Sequence, residues 1–449
     1  MNCRSVIAGV LCFALCMGMS SCKGKKNTSS TVAETESSVS DQSATDKNSS
    51  KVSDISSLDV SAVSGSRQAS SSKKNDKVSS SNPVPSSKKP SQAASQLDSV
   101  PLRPIDSERY YGKQLLKKTG SAAENAAYNA FVEQIGNYQK TVVFDFDLTI
   151  EEAKKAYSYY RDDWPQHFWR GNQYHFSARN NKVVTMTFSD ITETPDQLRQ
   201  KMQRVTAQAE AILSQLSASM SEFERERLIH DAIINKVRFD TTLKAPDAHD
   251  LYGALVNGKA VCEGYAAAFQ YLMRQAGIQC IVAKGTLTQG GQSVNHAWNM
   301  AEIAGQFYHV DVTADDPVIS GFDDVLKFNY FNVTQQRILR DHTLEDNAYP
   351  LPSATSEKYE FFNRNELVFD TLSVDAVARA YVYSVRHGYA FAHLRLVSGR
   401  AEETTAYLQR NLYSVVDRAN EMLGEKKIET NGQILVITDS LNNICSIKL

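Results

Sequence analysis

The sequence predicts an α+β fold, on three observations. Residues 262–276 carry apolar side chains at helical spacing. After them "QCIVAKGTL", "VNHAWNMAEI" and "QFYHVDVT" read as strands, the last two as a hairpin. Beyond residue 356 helical and strand-like runs alternate, which with the first two patterns favours helices packed against antiparallel sheet.

The first 22 residues read as a targeting segment. Arg4 precedes the apolar run "VIAGVLCFALCMGM", which has the length of a secretory h-region and is short for a membrane span. The run ends in "MSSC", where Ser20 and Ser21 stand before Cys22. This resembles the lipobox of bacterial lipoproteins, although Met19 replaces the usual aliphatic residue. The resemblance implies lipidation of Cys22, a membrane anchor and an extracytoplasmic place at the bacterial cell surface; an ordinary secretory signal is the alternative.

Residues 23–102 are rich in Ser with Lys, Asp, Thr and Pro, and nearly lack aromatics, so they are expected to be a tether without fixed structure. Between residues 23 and 100 there are 11 Lys and Arg against 8 Asp and Glu, so the tether is no polybasic patch. The formal charge of -2 on 449 residues gives no reason to expect nucleic acid as a partner. Of seven cysteines, Cys3, Cys12 and Cys16 lie in the leader, and Cys262, Cys280 and Cys445 in the folded part. Three thiols demand no disulfide framework, and no Cys or His pair has zinc-site spacing, so neither a metal nor a cofactor is expected.

Residues 103–220 form an N-terminal accessory region. "TVVFDFDL" and "KVVTMTFSD" read as strands on either side of "AYSYYRDDWPQHFWRGNQYHF". Its aromatic side chains are expected to be core, with stacking on the sugar rings of a cell-wall polymer as the alternative. A helix starts at Pro195 after Thr194, and another near Ser221, where Ser221 and Glu224 have capping-box spacing.

Residues 221–350 hold the chemistry. In "GKAVCEGYAAAFQYLMRQAGI", Tyr265, Ala268, Phe269, Leu272 and Met273 mark one helical face, and Gly277 stands where a C-terminal cap belongs. Cys262 is thus in the first turn, where unpaired N–H groups and the positive end of the macrodipole favour thiolate. With a two-residue turn at Ala304 and Gly305, Ile303 pairs with Gln306, and His296 and Asp311 fall on one face as diagonal neighbours. A thiol at a helix start, a histidine on one strand and an aspartate on the next supply nucleophile, base and orienting acid for acyl transfer.

The segments "YGALVNGKAVCEGYAAAFQYLMRQAGIQC", "NHAWNM" and "GQFYHVDVTADDP" resemble the transglutaminase-like superfamily in its bacterial secreted branch. The resemblance covers about 225 to 345. It implies a papain-like fold, with Cys262 as nucleophile, His296 as base and Asp311 as orienting acid. It further implies a thioester intermediate resolved by water or by an amine, and peptide, protein or cell-wall substrates. Where relatives read Asp-x-Thr-Trp-Asp-Asp-Pro, Ala314 replaces the tryptophan; the cleft could be wider, refilled from another segment, or inactive. A non-catalytic binding or scaffold module is the alternative function.

Residues 351–449 read as an α+β accessory domain: a helix near "SVDAVARAYVYSVRHG", a strand "AFAHLRLV", a helix over about 401–423, and strands "QILVITD" and "ICSIKL". His387 and His393 have no acidic or thiol partner at site spacing, and no chemistry is assigned to them.

Overall fold

Helix starts are fixed by side-chain caps written in the sequence. Ser121, Thr149, Thr194 and Ser221 each close a capping box with the Glu or Gln three residues on, starting the helices Ala122–Gly136, Ile150–Asp163, Pro195–Leu213 and Glu222–Lys236. These belong to a computed structural model that describes residues 60–64, 107–319, 325–345, 347–424 and 428–448. The leader and Cys22 lie outside the described residues, as does most of the Ser-rich segment. Among the described residues no helix is long and apolar enough to cross a membrane.

The centre is a four-stranded antiparallel sheet in the order His342–Leu344, Cys280–Gln289, Gln292–Ile303, Gln306–Val310. The hairpin turns at Ala304 (φ 50°) and Gly305 (φ 76°), both left-handed, as a two-residue turn requires. Ile303 pairs with Gln306 and Asn299 with Val310, the register the sequence predicts. One face of this sheet packs Cys280, Ala301, Ile303 and Val310 against the helix Cys262–Gln275. The opposite face buries Ile281, Ala283, Trp298 and Met300 in a second core shared with the N-terminal region.

That N-terminal region sets three helices, Tyr111–Thr119, Ala122–Gly136 and Ile150–Asp163, beside a three-stranded sheet in the order Thr141–Val143, Lys182–Phe188, Tyr174–Arg179. "TVVFDFDL" pairs over fewer residues than expected. Phe144 N–H still bonds Val184 O at 2.9 Å, after which the chain turns to bring Thr149 to its cap. The aromatic stretch is core, not a sugar-stacking surface: Tyr160 is fully buried, and the Trp164 and Trp169 indole N–H groups donate inward to Tyr128 Oη and Ile135 O, both at 3.0 Å.

The C-terminal sheet has the order Val60–Ser64, Gln433–Asp439, Ile444–Lys448, Ala392–Leu396, Val368–Phe369, covered by the helices Val374–His387 and Thr404–Leu423. Its apolar side chains join those around the cysteine helix in one continuous core running from Val205 to Ile447. The first strand differs from expectation. Five residues of the segment read as a tether pair antiparallel with Gln433–Asp439, Val60 opposite Ile437 and Ser64 opposite Gln433. The segment "VSAVS" is short and partly β-branched, and the edge of a sheet offers the hydrogen bonds it cannot make alone.

Candidate functional site

The helix Cys262–Gln275 begins at Cys262, with Val261 at the N-cap and no side-chain cap. No N-cap side chain covers this helix start, unlike those of the helices above, and the positive end of its dipole favours an anion or a thiolate. Gly264 lets this turn sit deep: a Cβ there would stand 2.6 Å from Ala248 O. At the other end Ile278 N–H bonds Met273 O at 2.9 Å and Gly277 N–H bonds Arg274 O at 3.0 Å, with Gly277 left-handed (φ 85°). This is the glycine-capped end the sequence predicts.

The helix runs antiparallel to Cys280–Gln289. Arg274 Nε donates to Cys280 O at 2.9 Å, and Asn299 Nδ2 donates to Ala266 O at 3.1 Å. Four residues further towards the helix start, a rise of about 6 Å, Cys262 comes to the end of the sheet that carries His296.

His296 and Asp311 are in contact, Nε2 of the imidazole 2.7 Å from Oδ2 of the carboxylate. They are 5 % and 0 % exposed, and Cys262 is 0 % exposed, so all three side chains are buried. His296 Nδ1 is buried without a hydrogen-bond partner, leaving that nitrogen able to receive a proton. The ring lies flat against Trp298 at 5.9 Å and 18°, and the Trp298 indole N–H donates to His309 Nδ1 at 3.0 Å. Asp311 leaves the strand: its N–H bonds Tyr330 O at 3.2 Å, and its Oδ1 accepts the Ala314 N–H at 3.1 Å. Burial would raise its carboxyl pKa, but the His296 and His342 imidazoles overcome this and hold it well below the usual carboxylate range.

His342 is the neighbour that sequence reasoning missed. Its Nε2 lies 3.1 Å from Asp311 Oδ2, and its Nδ1 is 2.6 Å from Asp341 Oδ1. The edge strand bearing it approaches closely because Gly285 faces it; a Cβ on Gly285 would stand 1.8 Å from Thr343 O. A glycine inside "AKGTL" was the only sequence sign of that approach. His296, Asp311 and His342 also bring one ligand atom each within 4.8 Å of one another. The separation of 2.7 Å between His296 Nε2 and Asp311 Oδ2 suits a hydrogen bond; two ligands on one tetrahedral zinc stand about 3.3 Å apart.

A cavity of about 170 Å³ opens beside His296, lined by Thr313, Ala314, Tyr330 and, from the C-terminal sheet, Ser440 and Leu441. Ala314 is thus on the cavity wall. Cys280 and Cys445 are buried thiols whose ionisation burial disfavours, Cys280 beyond the usual range and Cys445 up to about 12. His393 meets Ser446 Oγ and His387 meets Tyr383 O, away from this cavity.

A helix starting at a thiol, packed on an antiparallel sheet whose strands carry a His–Asp pair, defines a papain-like cysteine-protease or transglutaminase type of domain. Residues 210–312, which include Cys262, His296 and Asp311, match the family model described as "Transglutaminase-like superfamily". Over these residues the chain is similar to that superfamily and carries a transglutaminase-like domain. Among curated proteins it is similar to the kyphoscoliosis peptidase of Mus musculus, 27% identical over 183 residues, and of Homo sapiens, 28% identical over 192 residues. These alignments cover 35% and 36% of this chain, and only 28% and 29% of the relatives. Among solved structures, a TGase aligns over 38% of this chain and 50% of its own, with 13% identity and a TM-score of 0.24.

Proposed function

We propose that the protein is a cysteine-dependent acyl transferase or peptidase that cleaves peptide or amide bonds through a thioester on Cys262. His296 takes the thiol proton and returns it to the leaving amine, and Asp311 holds the imidazole and stabilises its charged form. The observation that carries this reading is the buried His296–Asp311 bond of 2.7 Å with the opposite ring nitrogen left unpartnered. The Cys262 N–H, at an uncapped helix start, is suited to the tetrahedral oxyanion. Water as acceptor is favoured over an amine, because the curated relatives are named peptidases.

Substrates are peptides or proteins, cell-wall peptides among them, presented from the cavity beside His296. Since Cys262 has no exposed surface, substrate entry requires side chains around the sulfur to move. The site is carried at the bacterial cell surface by a lipid on Cys22. Nucleic acid has no part in this reading.

Incubating the full chain with cell-wall peptides and a primary amine, then weighing protein and products by mass spectrometry, separates the outcomes. Cleaved peptide shows hydrolysis and amine-capped peptide shows transfer. Neither product, with an intact Cys262 that resists a thiol-directed acyl probe, would leave the binding-module alternative. Separately, Cys22→Ser should lose detergent-phase partitioning; unchanged partitioning rules out the anchor.

A further inference from the structure

We propose that His342 is a positioning residue of the site: a second, cationic imidazole on the Asp311 carboxylate that fixes its orientation and limits how much negative charge reaches His296. The proposal rests on the reading of Cys262, His296 and Asp311 as the catalytic set.

The geometry sets the charge of His342. Its two ring nitrogens stand 3.1 Å and 2.6 Å from oxygens of two different aspartates, Asp311 and Asp341. Ionised carboxylates only accept, so each nitrogen must carry hydrogen, and an imidazole with hydrogen on both nitrogens is an imidazolium. The ring is buried, which opposes charge, but the two carboxylates outweigh this and push its pKa up to about 9. Tyr330 donates its hydroxyl to the far oxygen of Asp341 at 2.5 Å and keeps that carboxylate turned to the ring.

Each element packed around this cluster contributes titratable or charged groups. The strand Gln306–Val310 brings His309, which accepts the Trp298 N–H on Nδ1 and is therefore neutral. The following turn brings Asp311 and Asp315, and Asp315 faces His230 at 3.3 Å. The histidine strand brings His296. Residues 325–334 bring Lys327 and Tyr330, and the end of the strand Gln433–Asp439 brings Asp439; all three line the cavity.

Asp311 Oδ2 thus serves two imidazoles while Oδ1 holds the Ala314 N–H, and the carboxylate cannot rotate without breaking three contacts. A lone carboxylate would act on the His296 imidazolium with its full charge. Here a cation on the same oxygen offsets part of that pull, so less of the carboxylate's charge reaches the His296 ring.

His342→Gln removes the charge while an amide N–H can still reach Asp311. The readout is the midpoint of the His296 ring titration, followed by ¹⁵N-edited NMR of the full chain, beside site-resolved alkylation of Cys262 by iodoacetamide against pH. The expected result is an upward shift of about one pH unit in the His296 midpoint and in the basic limb of alkylation. Asp341→Asn, which spares the Asp311 contact, should shift both in the same direction by less. A folded His342→Gln protein with an unmoved His296 midpoint overturns the proposal, as does a neutral His342 ring at pH 7 in the wild type. Failure of the catalytic reading looks different: alkylation of Cys262 would be indifferent to His296→Ala, and the His296 midpoint would still decide the role of His342.

Discussion

At the scale of single residues, the His296–Asp311 pair was legible because a two-residue turn fixes hairpin register, and register fixes which side chains share a face. Asp311 did more than the sequence showed. It neutralises His342, which lies 31 residues away on a strand that no periodicity links to the hairpin. Asp311→Asn should therefore weaken the fold as well as the chemistry, since removing one member of a buried charge pair costs on the order of 3 kcal/mol. Urea titration of the variant checks this, and a midpoint equal to wild type would contradict it. Cys262→Ser should lower turnover of any cleaved peptide by about a thousandfold or more with an unchanged urea midpoint, the hydroxyl being a poor nucleophile in this setting. Ala314 offers the opposite kind of test, since it lines the cavity beside His296. Ala314→Trp should fill that space, slowing labelling of Cys262 by a bulky maleimide several-fold more than labelling by iodoacetamide; equal slowing would place the entry route elsewhere.

At the scale of elements, caps and periodicity carried most of the reading. Thr194 and Ser221 start their helices where the sequence places them, and the cysteine helix ends at Gly277. The failures have physical causes. "TVVFDFDL" keeps its inward residues Val142, Phe144 and Leu148 buried, yet only three residues pair, because the chain must turn to reach the Thr149 cap. Composition alone cannot reveal that "VSAVS" finds a sheet edge. The edge strand His342–Leu344 was missed because three residues carry too little pattern. Gly285 gives that strand a direct test: Gly285→Ala places a methyl on the Thr343 carbonyl, forcing the strand outward. The expected cost is about 1–3 kcal/mol, with the His342–Asp311 contact lengthened and the His296 titration changed in the direction expected for His342→Gln. A variant as stable as wild type would show that the edge strand yields without loss.

At the scale of the whole molecule, the cysteine helix and the C-terminal sheet share one core, so they should unfold together. A single urea transition seen alike by fluorescence and circular dichroism is expected, and two separated transitions would contradict it. Its pH dependence follows from buried histidines of two kinds. Burial opposes charge on His230 and His342, but flanking carboxylates outweigh it and raise both to about 9. Their stabilisation is complete below about 6.5 and is lost as pH rises through 9. His167, His309 and His393 are pushed down to about 3 by burial, so their contribution is present above about 6.5 and is lost as pH falls. The urea midpoint should peak near neutrality and fall on both sides, and His342→Gln should flatten the alkaline fall.

If Cys22 carries the proposed lipid, the strand Val60–Ser64 also sets how far the folded body can stand from the bilayer. From Cys22 to the first residue of the folded region near 102 there are 80 residues, a maximum reach of about 270 Å. With Val60 held at the sheet edge, 38 residues remain, and the ceiling falls to about 130 Å. The leash then enters the body beside Gln433–Asp439, whose far end, Asp439, lines the cavity. A lipid on Cys22 would thus orient the molecule as well as retain it, giving the cleft a preferred height and heading over the bilayer, with bonds in a nearby layer within reach and distant ones beyond it.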